Sequence, residues 1–396
     1  MRSVGLVTSS RSDWGIQRPV AEALRARDDV ALHIIAAGAH LVPELGNTAR
    51  EITADGFEVA RRVAFLEPED SPESVARSMG RGVQAFASLF AEWRPDILTV
   101  LGDRFDMFPA AVAATVMLIP VAHLHGGELT RGALDDALRH ALTKMSHIHL
   151  ASTEEYARRI RQMGEDPAHV HVVGAPALDD LLKLEPLSGA VLEAECGFND
   201  SRPNVLVAYY AETRAYQDVP HAVSQVLAAL DGLEANLVII RPIADTANSD
   251  IRKAIDGFCA GHRTARAPQN LPRRTFLSLM RAASVMVGNS SAGILEAPSF
   301  KLPVVNIGLR QAGRMRAGNV IDCACDTPAI DAALQKALSP EFRESLSDLK
   351  TPFGDGRSAP PIARILATTP LDAELIRKPF FDVPANPQSD ASCSMF

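Results

Sequence analysis

Short runs in which nearly every position is apolar recur along the chain between longer stretches of helical periodicity. In the first half they are Val4 to Thr8, Ala31 to Ala36, Ile97 to Leu101, Val121 to Leu124, Ile148 to Ala151 and Val170 to Val173. The pattern resumes at Val205 to Ala208, Leu237 to Ile240, Val285 to Val287 and Val304 to Ile307. Strands of a parallel sheet covered by helices on both faces need apolar residues at consecutive positions, not alternate ones. The pattern therefore predicts an α/β protein with two Rossmann-like domains whose parallel sheets face a central cleft. The halves share no residue-level repeat and join somewhere in 174–187. The expected division is 1–177 for the first domain and 178–379 for the second, whose final helix can pack back on the first. Residues 380–396 carry two prolines, two acids and no basic residue, and are expected to fray as a disordered tail.

Composition narrows the function. Among 396 residues, 40 Lys and Arg stand against 48 Asp and Glu, a net charge of -8, which disfavours a basic surface tracking nucleic acid. The five cysteines are odd in number and lack C-x-x-C spacing, so free thiols, a cytoplasmic location and no zinc site are expected. Val4 to Val7 is shorter than the roughly 7 to 15 apolar residues of a signal peptide. Ala110 to Ala122, cut by Pro120, falls short of the roughly 20 a membrane crossing needs.

Three familiar motifs fail on context. Gly80, Gly82 and Ala85 match G-x-G-x-x-A, but inside the helical pattern Glu73 to Trp93 and not after a strand. No G-x-x-x-x-G-K-[ST] occurs, which excludes a P-loop. GNSSAG at 288–293 places Ala292 where a nucleophile elbow needs glycine.

In open parallel sheets ligands bind beyond the carboxyl ends of the strands, so polar residues directly after strand runs are the candidates. After Ile97 to Leu101 comes Gly102-Asp103-Arg104-Phe105-Asp106. The competing reading there is a helix cap by Asp103 or Asp106. After Val121 to Leu124 comes His125-Gly126-Gly127-Glu128, and strand alternation would put His123 and His125 on one face. Asp135, Asp136 and His140 follow on a helix, where His140 either meets a ligand or pairs with Asp136. Two chemistries fit: a divalent metal held by the histidines and acids, or carboxylates that move protons around an oxocarbenium-like sugar. In the second half, strand, Gly288-Asn289-Ser290-Ser291 turn and helix offer amides and hydroxyls to phosphate, unless the serines only cap the helix. Arg310, Arg314 and Arg316 after the next strand suit phosphate oxygens. Acids in one half and a phosphate cradle in the other point to a nucleotide-linked substrate.

At these residues the chain resembles the hydrolysing UDP-N-acetylglucosamine 2-epimerases of sialic and legionaminic acid biosynthesis, a family with the GT-B fold. The resemblance rests on TSSRSDWG at 8–15, GDRFD at 102–106, HLHGGE at 123–128, DDALRHALTKMSHIHLASTEEY at 135–156, GNSSAGILEAPSF at 288–300, NIGLRQAGRMRAGNVID at 306–322 and FGDGRSA at 353–359. It covers most of the chain and is closer to the bacterial branch, which carries His at the position of His125. It implies elimination of UDP from a UDP-linked 2-acetamido sugar and hydration of the glycal to the C2-inverted free sugar, with no metal or cofactor. Carried over residue by residue, it implies Asp103 and Asp135 as acid/base carboxylates and His125 where other members use Glu. Ser290 and Ser291 would hold the diphosphate and Glu296 the ribose hydroxyls; Arg11, Arg104 and Arg310 would meet the phosphates or serve closure. Glu128 and His140 complete the expected substrate-binding set, and a homo-oligomer, dimer or tetramer, is expected. Two positions depart from the family. Tyr210 replaces an active-site His, and Ile243 replaces an Asn before Ala244-Asp245-Thr246. A UDP-sugar-binding protein of low turnover, a GT-B glycosyltransferase and a metal-dependent hydrolase are the alternatives.

Overall fold

The computed structural model describes residues 1–242 and 246–382; Ile243 lies outside them. Seven parallel strands form the first sheet: β1 (Arg2–Thr8), β2 (Val30–Ala37), β3 (Val59–Val63), β4 (Ile97–Leu101), β5 (Val121–Leu124), β6 (Ile148–Ala151) and β7 (Val170–Val172). Their order is β3-β2-β1-β4-β5-β6-β7. The second sheet has β8 (Asn204–Ala208), β9 (Asn236–Ile239), β10 (Ala265–Arg266), β11 (Val285–Gly288), β12 (Val304–Ile307) and β13 (Val320–Cys323). They lie in the order β10-β9-β8-β11-β12-β13. Every pairing is parallel, with register Val4 to Ile97 in the first sheet and Val285 to Val205 in the second. This is the GT-B arrangement of two Rossmann-like sheets.

The predicted strands sit in the sheets with bounds shifted by a residue or so. Three strands had no matching run, and each lies at a sheet edge: β3, β10 and β13. β4, near the sheet centre, is buried at all five positions, whereas β3 exposes Arg61 and Arg62. A wholly buried Val, Leu or Ile contributes roughly 1.5 to 3 kcal/mol. An edge strand collects that at only some positions and tolerates charge.

The Gly80 and Gly82 motif lies within the helix Pro72–Glu92, which Ser71 caps through Ser74 N–H (3.2 Å). A Cβ on Gly82 would come within 2.8 Å of Pro109, while one on Gly80 would meet nothing. The glycine at 82 thus permits close helix packing, and the motif lies inside a helix instead of at the strand-to-helix turn a dinucleotide fingerprint needs.

The chain crosses to the second sheet and later returns. The helix Ala359–Thr368 packs on the helix Arg11–Arg25, and Ile362, Ala363, Leu366 and Leu375 belong to the core of the first sheet. Asp179 fixes the return, accepting from the N–H groups of Ser358 (2.9 Å) and Ala359 (2.7 Å). Further on, Lys378 pairs with Glu165 (2.9 Å) and Phe381 N–H donates to Gly164 O (3.0 Å), so the first residues of the expected tail are docked. Among the described residues no helix is long and apolar enough to cross a membrane.

Candidate functional site

In each sheet the strand order reverses at one point, between β1 and β4 and between β8 and β11. Loops leaving these strands open a crevice. Ser9 to Arg11 follow β1, Gly102 to Asp106 follow β4, Tyr209 and Tyr210 follow β8, and Asn289 to Ser291 follow β11. A cleft of about 550 Å³ runs between the halves, lined among others by Arg11, Tyr210, Arg273, Ser290, Ser291 and Glu296.

On the wall of the first half, β5 ends at Leu124, and His125 takes a left-handed backbone conformation with φ 61°. A non-glycine residue held there is strained, and such strain gathers at functional sites. Its Nδ1 bonds Glu128 Oε1 (2.6 Å), while its Nε2 is buried without a partner in the protein. The other Glu128 oxygen accepts from Arg314 Nε (2.8 Å) and from a second Arg314 nitrogen, and Ser152 donates to Oε1 (3.1 Å). Burial works to raise the Glu128 pKa, but Arg314 and then His125 outweigh it and bring it down to about 2. An ionised carboxylate only accepts, so Nδ1 of His125 carries the hydrogen.

The helix Asp135–Met145 supplies the next groups. Asp135, in its first turn, is 6% exposed, and its Oδ2 is buried without a partner. One helical turn on, Arg139 is wholly buried and paired with Asp103. The Nε and one terminal nitrogen of Arg139 have no acceptor. Burial, then the nearby charge of Arg314, holds the Arg139 pKa well below its ordinary value. Buried donors left open are rare, because each costs about 1 to 3 kcal/mol unless a ligand completes it.

On the wall of the second half, the Asn289 side chain clasps the backbone of Tyr210, accepting from its N–H (2.8 Å) and donating to its C=O (2.9 Å). Arg310 Nη1 donates to Asn289 O (3.2 Å), and its guanidinium lies 5.2 Å from the Tyr210 ring centroid. Arg310 Nε is a further buried donor without a partner. Ser290 Oγ accepts from Ala292 N–H (3.3 Å), and both serines are half-buried on the cleft. Glu296, buried and ion-paired with Arg273, has its pKa raised by burial against the pull of that arginine.

Several expectations need revision. His123 and His125 do not form a pair on one strand face: His123 Nε2 donates to Gly102 O (2.7 Å) within the core, and His125 lies beyond the strand. Asp106 caps no helix, since its oxygens accept from Ser9 Oγ (3.0 Å) and the Arg104 guanidinium (3.0 and 3.1 Å). Asp136 accepts from Thr130 N–H (2.7 Å) and makes no hydrogen bond to His140 Nδ1, which is buried without a partner; burial lowers the His140 pKa against the opposing charge of Asp136. Both oxygens of Glu128 are engaged within the protein. Arg11 bridges the halves through Asn270 (2.7 Å). Among the described residues no group of three or more His, Cys, Asp or Glu is arranged to hold a metal ion. Sequence reasoning missed Arg139, although its i+4 spacing from Asp135 was a usable signal, and assigned Arg314 to phosphate.

The profile of the family described as UDP-N-acetylglucosamine 2-epimerase matches residues 22–367. A Campylobacter jejuni protein named GDP/UDP-N,N'-diacetylbacillosamine 2-epimerase (hydrolyzing) is 35% identical, covering 87% of this chain and 89% of that one. The Legionella pneumophila UDP-N,N'-diacetylbacillosamine 2-epimerase (hydrolyzing) is 34% identical over 96% of this chain and 99% of its own. Among solved structures, the Neisseria meningitidis UDP-GlcNAc 2-epimerase bound to UDP-GlcNAc superposes with a TM-score of 0.77 at 18% identity, covering 92% of this chain and 99% of that one. With the profile spanning most of its length and these identities across nearly all of it, the chain belongs to the UDP-N-acetylglucosamine 2-epimerase family.

Proposed function

We propose that the protein is a hydrolysing 2-epimerase that converts a UDP-linked 2-acetamido sugar to UDP and the C2-inverted free sugar. The observation that carries this reading is a set of buried polar atoms, from both halves, that the protein itself leaves without partners. His125 Nε2 and Asp135 Oδ2 stand unpartnered in the first half, and the buried donors of Arg139 and Arg310 await an anion. A base takes the C2 proton, the C–H electrons form the C1=C2 double bond, and the C1–O bond breaks to release UDP. Water then adds its oxygen to C1, and a proton returns to C2 from the opposite face. Asp103, Asp135 and His125 are the proton-transfer groups. Arg139, Arg310, Ser290 and Ser291 stabilise the charge on the departing diphosphate, where preorganised donors act most strongly. Glu296 meets the ribose, and Tyr210 lies beside the leaving group.

The names of the Campylobacter and Legionella relatives favour UDP-N,N'-diacetylbacillosamine over UDP-N-acetylglucosamine as substrate. In this reading 1–177 carries the acids, 178–379 carries the nucleotide, and the enzyme works in the cytoplasm as a homo-oligomer. The four unpaired cysteines among the described residues support the first of these settings, and the exposed Val116 and Leu118 support the second. The test is incubation in D₂O with each UDP-sugar and with the GDP-linked counterpart. Released UDP and a C2-inverted sugar carrying deuterium at C2 are expected. A free sugar unlabelled at C2 would mean plain hydrolysis and would overturn the epimerase reading.

A further inference from the structure

One loop of the second half touches both walls of the cleft. Arg310, early in the loop after β12, lies over Tyr210 on the nucleotide side. Four residues on, Arg314 crosses to the first half and holds Glu128. Gln311 ties the two together, donating to Asn289 O (2.9 Å) and accepting from Arg314 Nη1 (2.9 Å). All three guanidinium nitrogens of Arg314 are therefore engaged within the protein. The same loop is seated on the first half by Arg131 N–H to Ala312 O (3.2 Å) and Gly132 N–H to Leu309 O (3.1 Å). A Cβ at Gly132 would come within 2.6 Å of Leu309 O and Arg310 N, so only glycine allows this approach.

From this geometry we infer that Arg314 is a positioning residue that makes the alignment of His125 conditional on docking of the second half. The inference rests on the epimerase reading and adds to it how the site is assembled. Glu128 and the Arg314 and His125 side chains are 0%, 7% and 5% exposed, so the chain of contacts from Arg314 to His125 is dry. Within it the guanidinium is the cation that keeps the Glu128 carboxylate ionised. With Arg314 withdrawn, a buried carboxylate lacks compensation and must take a proton, rotate or admit water. Each outcome releases Nδ1 and with it the direction of Nε2. A nucleotide sugar that orders the 308–314 loop through Arg310 would thus set His125 as it binds, and an open enzyme would leave the group misaligned.

The test compares the wild-type enzyme with Arg314→Gln, Arg314→Lys, Glu128→Gln and the Glu128→Gln/Arg314→Gln double variant. Arg314→Gln is expected to lower kcat about tenfold or more, with KM and UDP affinity within about twofold. Arg314→Lys should recover part of kcat, and the double variant should be no slower than Glu128→Gln alone. Losses that add in the double variant, or a raised KM with kcat unchanged, would place Arg314 on the substrate and overturn the inference. A readout independent of turnover is the downfield proton resonance of the His125 Nδ1–H, assigned by its absence in His125→Asn. Loss of that signal in Arg314→Gln is expected, and its persistence unchanged overturns the inference for active and inactive protein alike. Absence of turnover in wild type, by contrast, would count against the epimerase reading.

Discussion

Asn289 holds both backbone groups of Tyr210, so a change of side chain at 210 tests the phenol and not the loop. A phenol offers the leaving phosphate one neutral hydrogen bond, whereas an imidazole can deliver a proton near neutrality. A hydrogen bond to a charged group contributes about 1.5 to 3 kcal/mol, so Tyr210→Phe is expected to lower kcat roughly 10- to 150-fold. Tyr210→His should retain or raise kcat and add a limb near neutral pH to the rate profile. A silent Tyr210→Phe under steady-state turnover would leave the ring as filler beneath Arg310. Residues such as Asp103, His125 and Ser290 were legible as candidates because each lies within three residues of the end of a strand run, where a parallel sheet presents its ligands. Arg139 was less so: its spacing from Asp135 puts it on the same helix face, but its pairing with Asp103 depends on the aim of the whole helix. The Arg314 partner lies 186 residues away, and no local pattern announces such a pair.

At the scale of the element, central strands were readable because burial on both faces demands apolar residues in succession. The edge strands β3, β10 and β13 escape that demand, which is why their sequences resemble loops. The helix Pro72–Glu92 offers a sharper reading of its two glycines. Replacing a helical glycine by alanine ordinarily stabilises by up to about 1 kcal/mol. Gly80→Ala, facing open space, should follow that rule. Gly82→Ala should destabilise by about 1 to 3 kcal/mol, because its methyl group collides with Pro109. Thermal melts of the two variants should therefore shift in opposite directions, and shifts of one sign would refute the packing role given to Gly82.

At the scale of the whole molecule, the response to acid follows from its buried imidazoles. Burial lowers His40 and His123 to about 3 and His147 to about 4, so each is neutral when folded and takes a proton near pH 6.5 when unfolded. The unfolded chain then binds more protons as pH falls below 6.5. Stability is lost at up to about 1.4 kcal/mol per pH unit for each histidine, until the folded values are reached. Glu128 and Glu165, lowered to about 2, lose their contribution only between roughly pH 4.5 and 2. The melting temperature should accordingly decline from pH 6.5 downward, and a flat profile to pH 5 would contradict these assignments. The returning helix Ala359–Thr368 bears on how the molecule is made. During synthesis the first sheet is finished when β7 leaves the ribosome, yet Ile362 and Leu366, which close its core, emerge about 190 residues later. At about 5 to 20 residues per second that interval is roughly ten to forty seconds. Throughout it the nascent first half presents an uncovered apolar face, a binding site for chaperones that the finished protein no longer displays.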